Sequence, residues 1–156
     1  MKNIIVIPCS KSKADGTMPA KVLYTGTLFK KTYEYAQLLK PDEIIIIGGE
    51  EKIDIINPET IISTYDGLDL NNVSCTNRRK LAVTRLDNLI AHGCNPSEDH
   101  FTFLTGKLYY EFIIDNQANA LPGSINHKNV ELPLSDCKGI GYMLQRIDTL
   151  INNLKK

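Results

Sequence analysis

The chain has 156 residues, with 18 lysines and arginines balanced by 18 aspartates and glutamates, so its formal net charge is zero. This balance argues against a protein that coats nucleic acid through a general positive surplus, although a local basic cleft stays possible. The length suits one domain with a hydrophobic core. Because apolar runs stay well below the ~20 residues of a membrane span and the start does not resemble a signal peptide, we expect a cytoplasmic protein without a membrane partner.

The cysteines and histidines do not form a recognisable metal or disulfide pattern. The four cysteines are dispersed and include no Cys-x-x-Cys pair. In a chain without an export signal, such cysteines are expected to be reduced thiols. The three histidines lack the spacing of metal ligands, so neither a metal nor a cofactor is expected. The residues concerned are Cys9, Cys75, Cys94, Cys137, His92, His100 and His127.

The amino-terminal stretch Asn-Ile-Ile-Val-Ile-Pro-Cys-Ser-Lys-Ser-Lys begins at Asn3. Its apolar run, Ile4 to Ile7, predicts a strand buried on both faces. Small polar and cationic residues follow at once, as in the ligand sites that open α/β sheets build at the carboxyl ends of strands. Backbone amides, Lys11 and Lys13 could hold a phosphate, and Cys9 could be a nucleophile. The alternative is a solvated turn. The binding candidates in this turn are Cys9, Ser10 and Lys11.

A helix and a second strand follow. Tyr24 and Gly26 precede the predicted amino terminus of the helix, where a ring and free amides could face a ligand, or where Tyr24 could simply pack. The apolar stripe predicts a helix from Thr27 that ends before Lys40-Pro41. The next run, Glu43 to Ile47, predicts a second buried strand. The residues of the helix that are expected to face inward are Leu28, Phe29, Thr32, Tyr33, Ala36 and Leu39.

The segment 50–74 is the least regular part of the sequence and is interpreted as an insertion over the sheet edge. Loops of this length in compact domains are usually functional or mobile. Asp66 could orient water or act as a general base, as could Lys52, and Tyr65 could contact the substrate. The alternative for Asp66-Gly67 is an ordinary surface turn.

The next helix is predicted to begin after a cap at Thr76 or Asn77 and to end near Gly93. Its predicted apolar face is Ala82, Val83, Leu86, Leu89 and Ile90. Its predicted outer face is Arg78, Arg79, Lys80 and Arg85, which is either a solvated surface or, less simply, a contact to a phosphate backbone.

Two further strands and two helices complete the pattern. The run His100 to Thr105 predicts the third strand, and Gly106 then begins a short helix from Lys107 to Ile114. Gly106 would allow close approach of a ligand, and Tyr109 could stack on a planar ring. A fourth extended piece, 129–134, precedes a last helix, 139–154. The expected inward residues of that helix are Met143, Leu144, Ile147, Leu150, Ile151 and Leu154.

Strands that alternate with helices predict a mostly parallel sheet. We therefore expect one α/β domain, 1–156, built as a three-layer sandwich with four main strands and helices on both faces. The four strand ends would then share one edge, which collects the segments 9–13, 48–52, 105–109 and 134–138.

The chain resembles an uncharacterised domain family of bacterial, archaeal and phage proteins. The family pattern begins with a strand, Cys-Ser and a lysine, followed by Pro-Ala and Tyr-x-Gly-x-x-Phe. The residues that match this part are Cys9, Ser10, Lys13, Pro19, Ala20, Tyr24, Gly26 and Phe29. Of the later Ser-Ala-Lys-Tyr-Gly-Leu and Pro-Tyr-Asp stretches, the chain keeps Lys52, Tyr65 and Asp66. The remaining matches are Gly106, Tyr109, Pro133, Leu134 and Gly141.

The opening also resembles the core domain of archaeosine synthase, which modifies a deazaguanine base in transfer RNA. That resemblance implies kinship with the uracil-DNA glycosylase superfamily, whose members bind a flipped base at the carboxyl edge of a parallel sheet. The chain lacks the Gly-Gln-Asp-Pro-Tyr-His loop of uracil-DNA glycosylases, so ordinary uracil excision is not expected.

These observations lead to three functional hypotheses. The first is an enzyme that cleaves or exchanges the N-glycosidic bond of a base, often a modified one, in a nucleotide or nucleic acid; its catalytic candidates are Lys13, Asp66 and Lys52. The second is attack of an amine on a modified base, as the resemblance to archaeosine synthase implies. The third is a non-catalytic module that binds nucleotides or nucleic acid in a phage or defence system.

Overall fold

The strands of the chain form two sheets. A computed structural model describes residues 1–48, 54–66, 72–117 and 119–156. The main sheet contains β1 (Asn3–Pro8), β3 (Glu43–Ile47), β4 (Ile55–Ile56), β6 (His100–Phe103) and β7 (Val130–Glu131). A small second sheet pairs β2 (Thr17–Pro19) with β5 (Ile61–Ser63) in antiparallel fashion.

The helices of the described residues vary from one turn to more than four turns. They are α1 (Ala20–Leu23), α2 (Thr27–Leu38), α3 (Cys75–Ala91), α4 (Lys107–Tyr110) and α5 (Ile140–Lys155), with a short 3-10 helix at His127–Asn129. None of the helices in these described ranges is long and apolar enough to cross a membrane.

The main sheet is mostly parallel, as predicted. Its order is β4-β3-β1-β6-β7, and β1 pairs in parallel with both β3 and β6, while β6 pairs in parallel with β7. The predicted count of four strands is wrong, because the described part of the sheet has a fifth, antiparallel strand, β4, at its edge. The chain turns back on β3 there, and the Gly48 amide donates to the Asp54 carbonyl at 2.8 Å. The mixed α/β class is confirmed.

The central strand β1 supplies both layers of the core, which explains why its sequence is apolar throughout. Because successive strand residues point to opposite faces, Ile4 and Val6 pack with residues of α3 on one face. Ile5 and Ile7 pack with residues of α2 and α5 on the other. Helices therefore cover the sheet on both faces.

The helix α3 differs from its prediction in its cap and in its buried face. Ser74 is the N-cap, and its Oγ accepts from the amide of Asn77. Val83 and Ile90, predicted to face inward, are about half exposed, whereas Arg85, predicted on the outer face, is buried. The buried side chains Ala82, Arg85, Leu86 and Leu89 keep the helical spacing, so the stripe is rotated from the predicted one.

Smaller corrections concern the other helices. In α2 the buried tyrosine is Tyr35, and Tyr33 is only half-buried. The helix α4 ends at Tyr110 instead of Ile114, because Glu111 leaves the helical conformation and Phe112 has a φ of 70°. In α5 the fully buried residues are Ile147 and Ile151.

The order in which strands are added to the sheet reverses at β1, although the strands themselves stay parallel. From β1 the chain passes to β3 on one side, and then to β6 on the opposite side of β1. In open α/β sheets such a reversal leaves a crevice at the carboxyl ends of the two strands, and ligands bind there. The crevice predicted by this topology lies between the turns that follow β1 and β6.

Candidate functional site

The turns after β1 and β6 lie side by side, as the sequence predicted. The Sγ atom of Cys9 lies 3.9 Å from the phenolic oxygen of Tyr109. The turns are close because their strands are neighbours: the Leu104 amide donates to the Val6 carbonyl at 2.8 Å. A side chain at Gly106 would come within 3.6 Å of the end of Met143, so the start of α5 borders the same edge. We define the crevice as the space bordered by Cys9, Gly106 and Tyr109.

Ser10, in the turn after β1, stabilises that turn through hydrogen bonds to the main chain. It is buried, and its Oγ accepts from the Gly26 amide at 2.8 Å while donating to the Ser12 carbonyl at 2.8 Å. A Cβ at Gly26 would overlap the Ser10 Oγ. The two motif residues therefore fit each other, and both hold the turn after β1 against the start of α2.

Replacing Gly26 with alanine is expected to lower the free energy of unfolding by about 1–3 kcal/mol through overpacking. The backbone φ of −66° at Gly26 suits alanine, so steric overlap with Ser10 is the cause. Urea denaturation measures the loss. Gly141→Ala, at an open position in α5, is the control and is expected to stabilise by about 0.4–1 kcal/mol. Combining Gly26→Ala with Ser10→Ala should give a non-additive cost, and strict additivity would contradict the contact.

Lys13 is folded back over its own turn. Its Nζ donates to the Lys11 carbonyl at 3.1 Å and lies 4.4 Å from the ring centroid of Tyr65. The Tyr65 hydroxyl is 2.6 Å from the Tyr24 hydroxyl. The structure thus brings Lys13, Tyr24 and Tyr65 together, and Lys11 extends into solvent beside them.

The two tyrosines proposed as stacking residues have different environments. Tyr24 is 1% exposed and packs against Phe29 at a centroid distance of 5.4 Å, so its ring belongs to the core and has no free face for a base. Tyr109 is half-buried at the crevice. Of these two rings, Tyr109 is the less deeply buried.

The remaining catalytic candidates lie in the insertion. Asp66 is exposed and directly follows Tyr65, whose ring contacts Lys13. Lys52 lies outside the described residues. Asp66 is therefore the sequence neighbour of Tyr65, one of the three residues in the group formed by Lys13, Tyr24 and Tyr65.

Arg85 is a residue that the sequence interpretation misplaced. It is 2% exposed, and its guanidinium contacts three segments at the carboxyl edge. Its Nη2 donates to Asp54 Oδ1 at 2.9 Å and to the Gly48 carbonyl at 2.9 Å, and its Nη1 donates to the Tyr109 carbonyl at 3.0 Å. The signal was available, because position 85 lies three residues after Ala82 and four before Leu89, on the buried stripe.

The carboxylate partner of Arg85 has a shifted pKa. Burial raises the pKa of Asp54 to about 6, although the Arg85 guanidinium acts in the opposite direction. Asp54 is thus ionised at neutral pH and forms the ion pair. Because the folded-state pKa exceeds the unfolded value, its contribution favours folding at acid pH and is lost as the pH rises through about 6.

The two arginines at the start of α3 are engaged within the protein. Arg78 donates to Glu111 at 3.1 Å and to the Val73 carbonyl at 2.7 Å. Arg79 donates to the Asn119 carbonyl and lies 5.4 Å from the ring centroid of Phe112. These contacts fix the segment after α4 and do not favour a phosphate-binding role.

Other surface features include two open depressions whose lining residues do not include Cys9, Gly106 or Tyr109. An open depression of about 410 Å³ runs along α5 near Tyr142 and Arg146, and another of about 480 Å³ lies near Asp42 and Glu59. All four cysteines are free thiols. Within the described ranges, histidines, cysteines and acidic residues form no cluster of three that could hold a metal ion.

Comparison with known proteins identifies a family of unknown function. Searches of curated proteins and of solved structures found no match. A family model described as a family of unknown function, DUF6884, matches residues 4–148, from β1 into α5, and so includes the crevice residues of both turns. The chain therefore belongs to the DUF6884 family.

Proposed function

We propose that this protein binds a nucleobase, within a nucleotide or nucleic acid, in the crevice between the turns after β1 and β6, and breaks or exchanges its N-glycosidic bond. The observation that carries the proposal is the contact between Cys9 and Tyr109 at the reversal of the strand order. Such reversals are the usual ligand sites of open α/β sheets.

The residues around the crevice suit a planar, negatively charged ligand. Tyr109 offers an aromatic ring for stacking, a contact that every base can make. Gly106 leaves room beside it. Lys11 and Lys107 are exposed on the two turns and supply positive charge for a phosphate. The net charge of the chain is zero, so this local charge favours a bound nucleotide over general adhesion to nucleic acid.

The chemistry would be displacement at the sugar carbon. Asp66 would orient a water molecule or a second nucleophile towards that carbon, and the departing base would take the bonding electron pair. Lys13 would stabilise the charge that develops on the base. The kinship with the uracil-DNA glycosylase superfamily, which the resemblance to archaeosine synthase implies, supports this reaction class.

Attack by a lysine amine, as in archaeosine synthase, is less well supported. Lys13 donates to a carbonyl and lies over the ring of Tyr65. Both contacts hold the Lys13 Nζ against its own turn and the insertion, not against the crevice residue Tyr109. We therefore favour cleavage or exchange of the glycosidic bond.

A panel assay tests the proposal. The protein is incubated with nucleosides, nucleotides, transfer RNA, and single- and double-stranded DNA that contain ordinary and modified bases. Base release is measured by mass spectrometry, and binding is measured by fluorescence anisotropy. We expect release from at least one substrate, with a loss of at least roughly a hundredfold in Asp66→Asn, in line with the usual contribution of a general base.

The controls separate catalysis from binding. Asp15→Asn, an exposed aspartate in the loop after Lys13, should leave the rate unchanged. Binding without release would contradict the enzyme and favour a non-catalytic nucleotide-binding module. Neither binding nor release across the panel, with folded protein, would contradict the nucleobase site itself.

A further inference from the structure

We propose that Arg85 is a positioning residue that holds Tyr109 against Cys9 and thereby shapes the crevice. The inference uses the proposed function only in taking Tyr109 as the residue that contacts the ligand. The claim that Arg85 sets the position of Tyr109 relative to Cys9 can be tested without any substrate.

The guanidinium of Arg85 joins two regions that are distant in sequence, the neighbouring ends of β3 and β4 and the helix α4. Nη2 binds the carbonyl of Gly48, directly after β3, and the carboxylate of Asp54, directly before β4. Nη1 binds the carbonyl of Tyr109 in α4. A planar group with several fixed donors can hold such an arrangement, whereas the single ammonium of lysine cannot reproduce its geometry.

The helix α4 needs an external anchor of this kind. It has only four residues, and isolated helices of that length are not stable on their own. Within this turn the Tyr109 amide donates to the Gly106 carbonyl at 3.2 Å. The bond from Arg85 to the Tyr109 carbonyl fixes the backbone that carries the ring, and the ring oxygen then lies 3.9 Å from Cys9.

Asp54 keeps the guanidinium in its orientation. Arg85 Nε lies 3.1 Å and Nη2 2.9 Å from Asp54 Oδ1, so the carboxylate binds the side of the guanidinium away from Tyr109. Both groups are buried. The side chain therefore has one arrangement available, and the position of α4 follows from it.

Alkylation of Cys9 by iodoacetamide reports this position directly. The background variant Cys75→Ser/Cys137→Ser removes the two other accessible thiols. Cys94 is kept because it is buried and burial raises the pKa of its thiol to about 11. Arg85→Lys keeps a cation beside Asp54 but loses the bond to the Tyr109 carbonyl, so Tyr109 should no longer be held against Cys9. We expect Cys9 to react roughly tenfold faster in this variant, a factor of the size expected from the loss of one hydrogen bond from a charged donor.

A second variant guards against effects of misfolding. Arg85→Met/Asp54→Val removes both charges of the ion pair, so no buried charge is left without its partner. Such replacements of a whole buried ion pair by apolar residues are often tolerated. It should show the same acceleration at a temperature well below its melting transition. Arg79→Lys, on the same helix, is the control and should react like the background protein. An unchanged Cys9 rate in folded Arg85→Lys and in the double variant would overturn the proposal.

Binding data separate this inference from the proposed function. Faster alkylation together with weaker binding of the nucleotide found in the panel assay supports both. Faster alkylation with no nucleotide bound by any variant, including the background, supports the positioning role and contradicts the nucleobase site. Unchanged alkylation with nucleotide binding intact contradicts only the positioning role.

Discussion

Replacing Arg85 with alanine is expected to lower the free energy of unfolding by about 3–5 kcal/mol, the usual cost of breaking a buried ion pair. The change leaves Asp54 as a buried carboxylate without its cation and removes the donors of the Gly48 and Tyr109 carbonyls. Urea denaturation at pH 8 measures the effect. The loss should be smaller at pH 5, because a protonated Asp54 no longer needs a cationic partner.

Arg79→Ala is the matched control for this prediction. Arg79 lies on the same helix, but it is only half-buried, its hydrogen bond to the Asn119 carbonyl is exposed, and no carboxylate pairs with it in the described contacts, although it lies over the buried ring of Phe112. Its loss is expected to cost less than about 1 kcal/mol, as for exposed charge contacts. Equal costs for the two arginine variants would contradict the importance that the structure gives to the buried pair.

Replacing Tyr109 with alanine is expected to weaken binding of the nucleotide found in the panel assay by roughly 5- to 150-fold, because stacking on an aromatic ring contributes about 1–3 kcal/mol per base. Tyr109→Phe retains the ring and loses only the hydroxyl beside Cys9, so its affinity should stay close to that of the wild type. Fluorescence anisotropy with a labelled nucleotide measures both.

Tyr142→Ala tests whether any accessible tyrosine would have the same effect. Tyr142 is 63% exposed on α5 and lines a depression whose lining does not include Tyr109. Its replacement should leave nucleotide affinity unchanged. A loss of affinity in Tyr142→Ala but not in Tyr109→Ala would move the binding site to that depression.

The strands of the parallel sheet could be predicted because burial on both faces produces continuous apolar runs. The runs in β1 and β3 have this form, and their parallel pairing follows from the helix between them. Their order in the sheet could not be predicted, because the sequence does not state on which side of β1 the third parallel strand pairs. An extended piece near β4 was expected in the insertion, but its pairing with β3 in the main sheet could not be predicted, because a two-residue strand is too short to show a periodicity.

The residues of the candidate site could be proposed from the sequence only where a turn follows a strand. The turns that carry Cys9 and Tyr109 were found in this way. Arg85 was assigned to the surface because its charge was given more weight than its position on the helix, although a buried arginine is stable when its donors are all engaged. The burial of Tyr24 could not be predicted from the sequence either, because a tyrosine before a helix can face either the core or a ligand.

The mutual fit of Ser10 and Gly26 has a consequence for the history of the family. Residues that fix the main chain of the first turn, such as Ser10, are distinct from the crevice residue Tyr109 and from the exposed Lys11. Divergence can therefore exchange the second group and alter ligand preference while the first group keeps the turn in place. Members of DUF6884 are then expected to share an architecture more widely than they share a reaction.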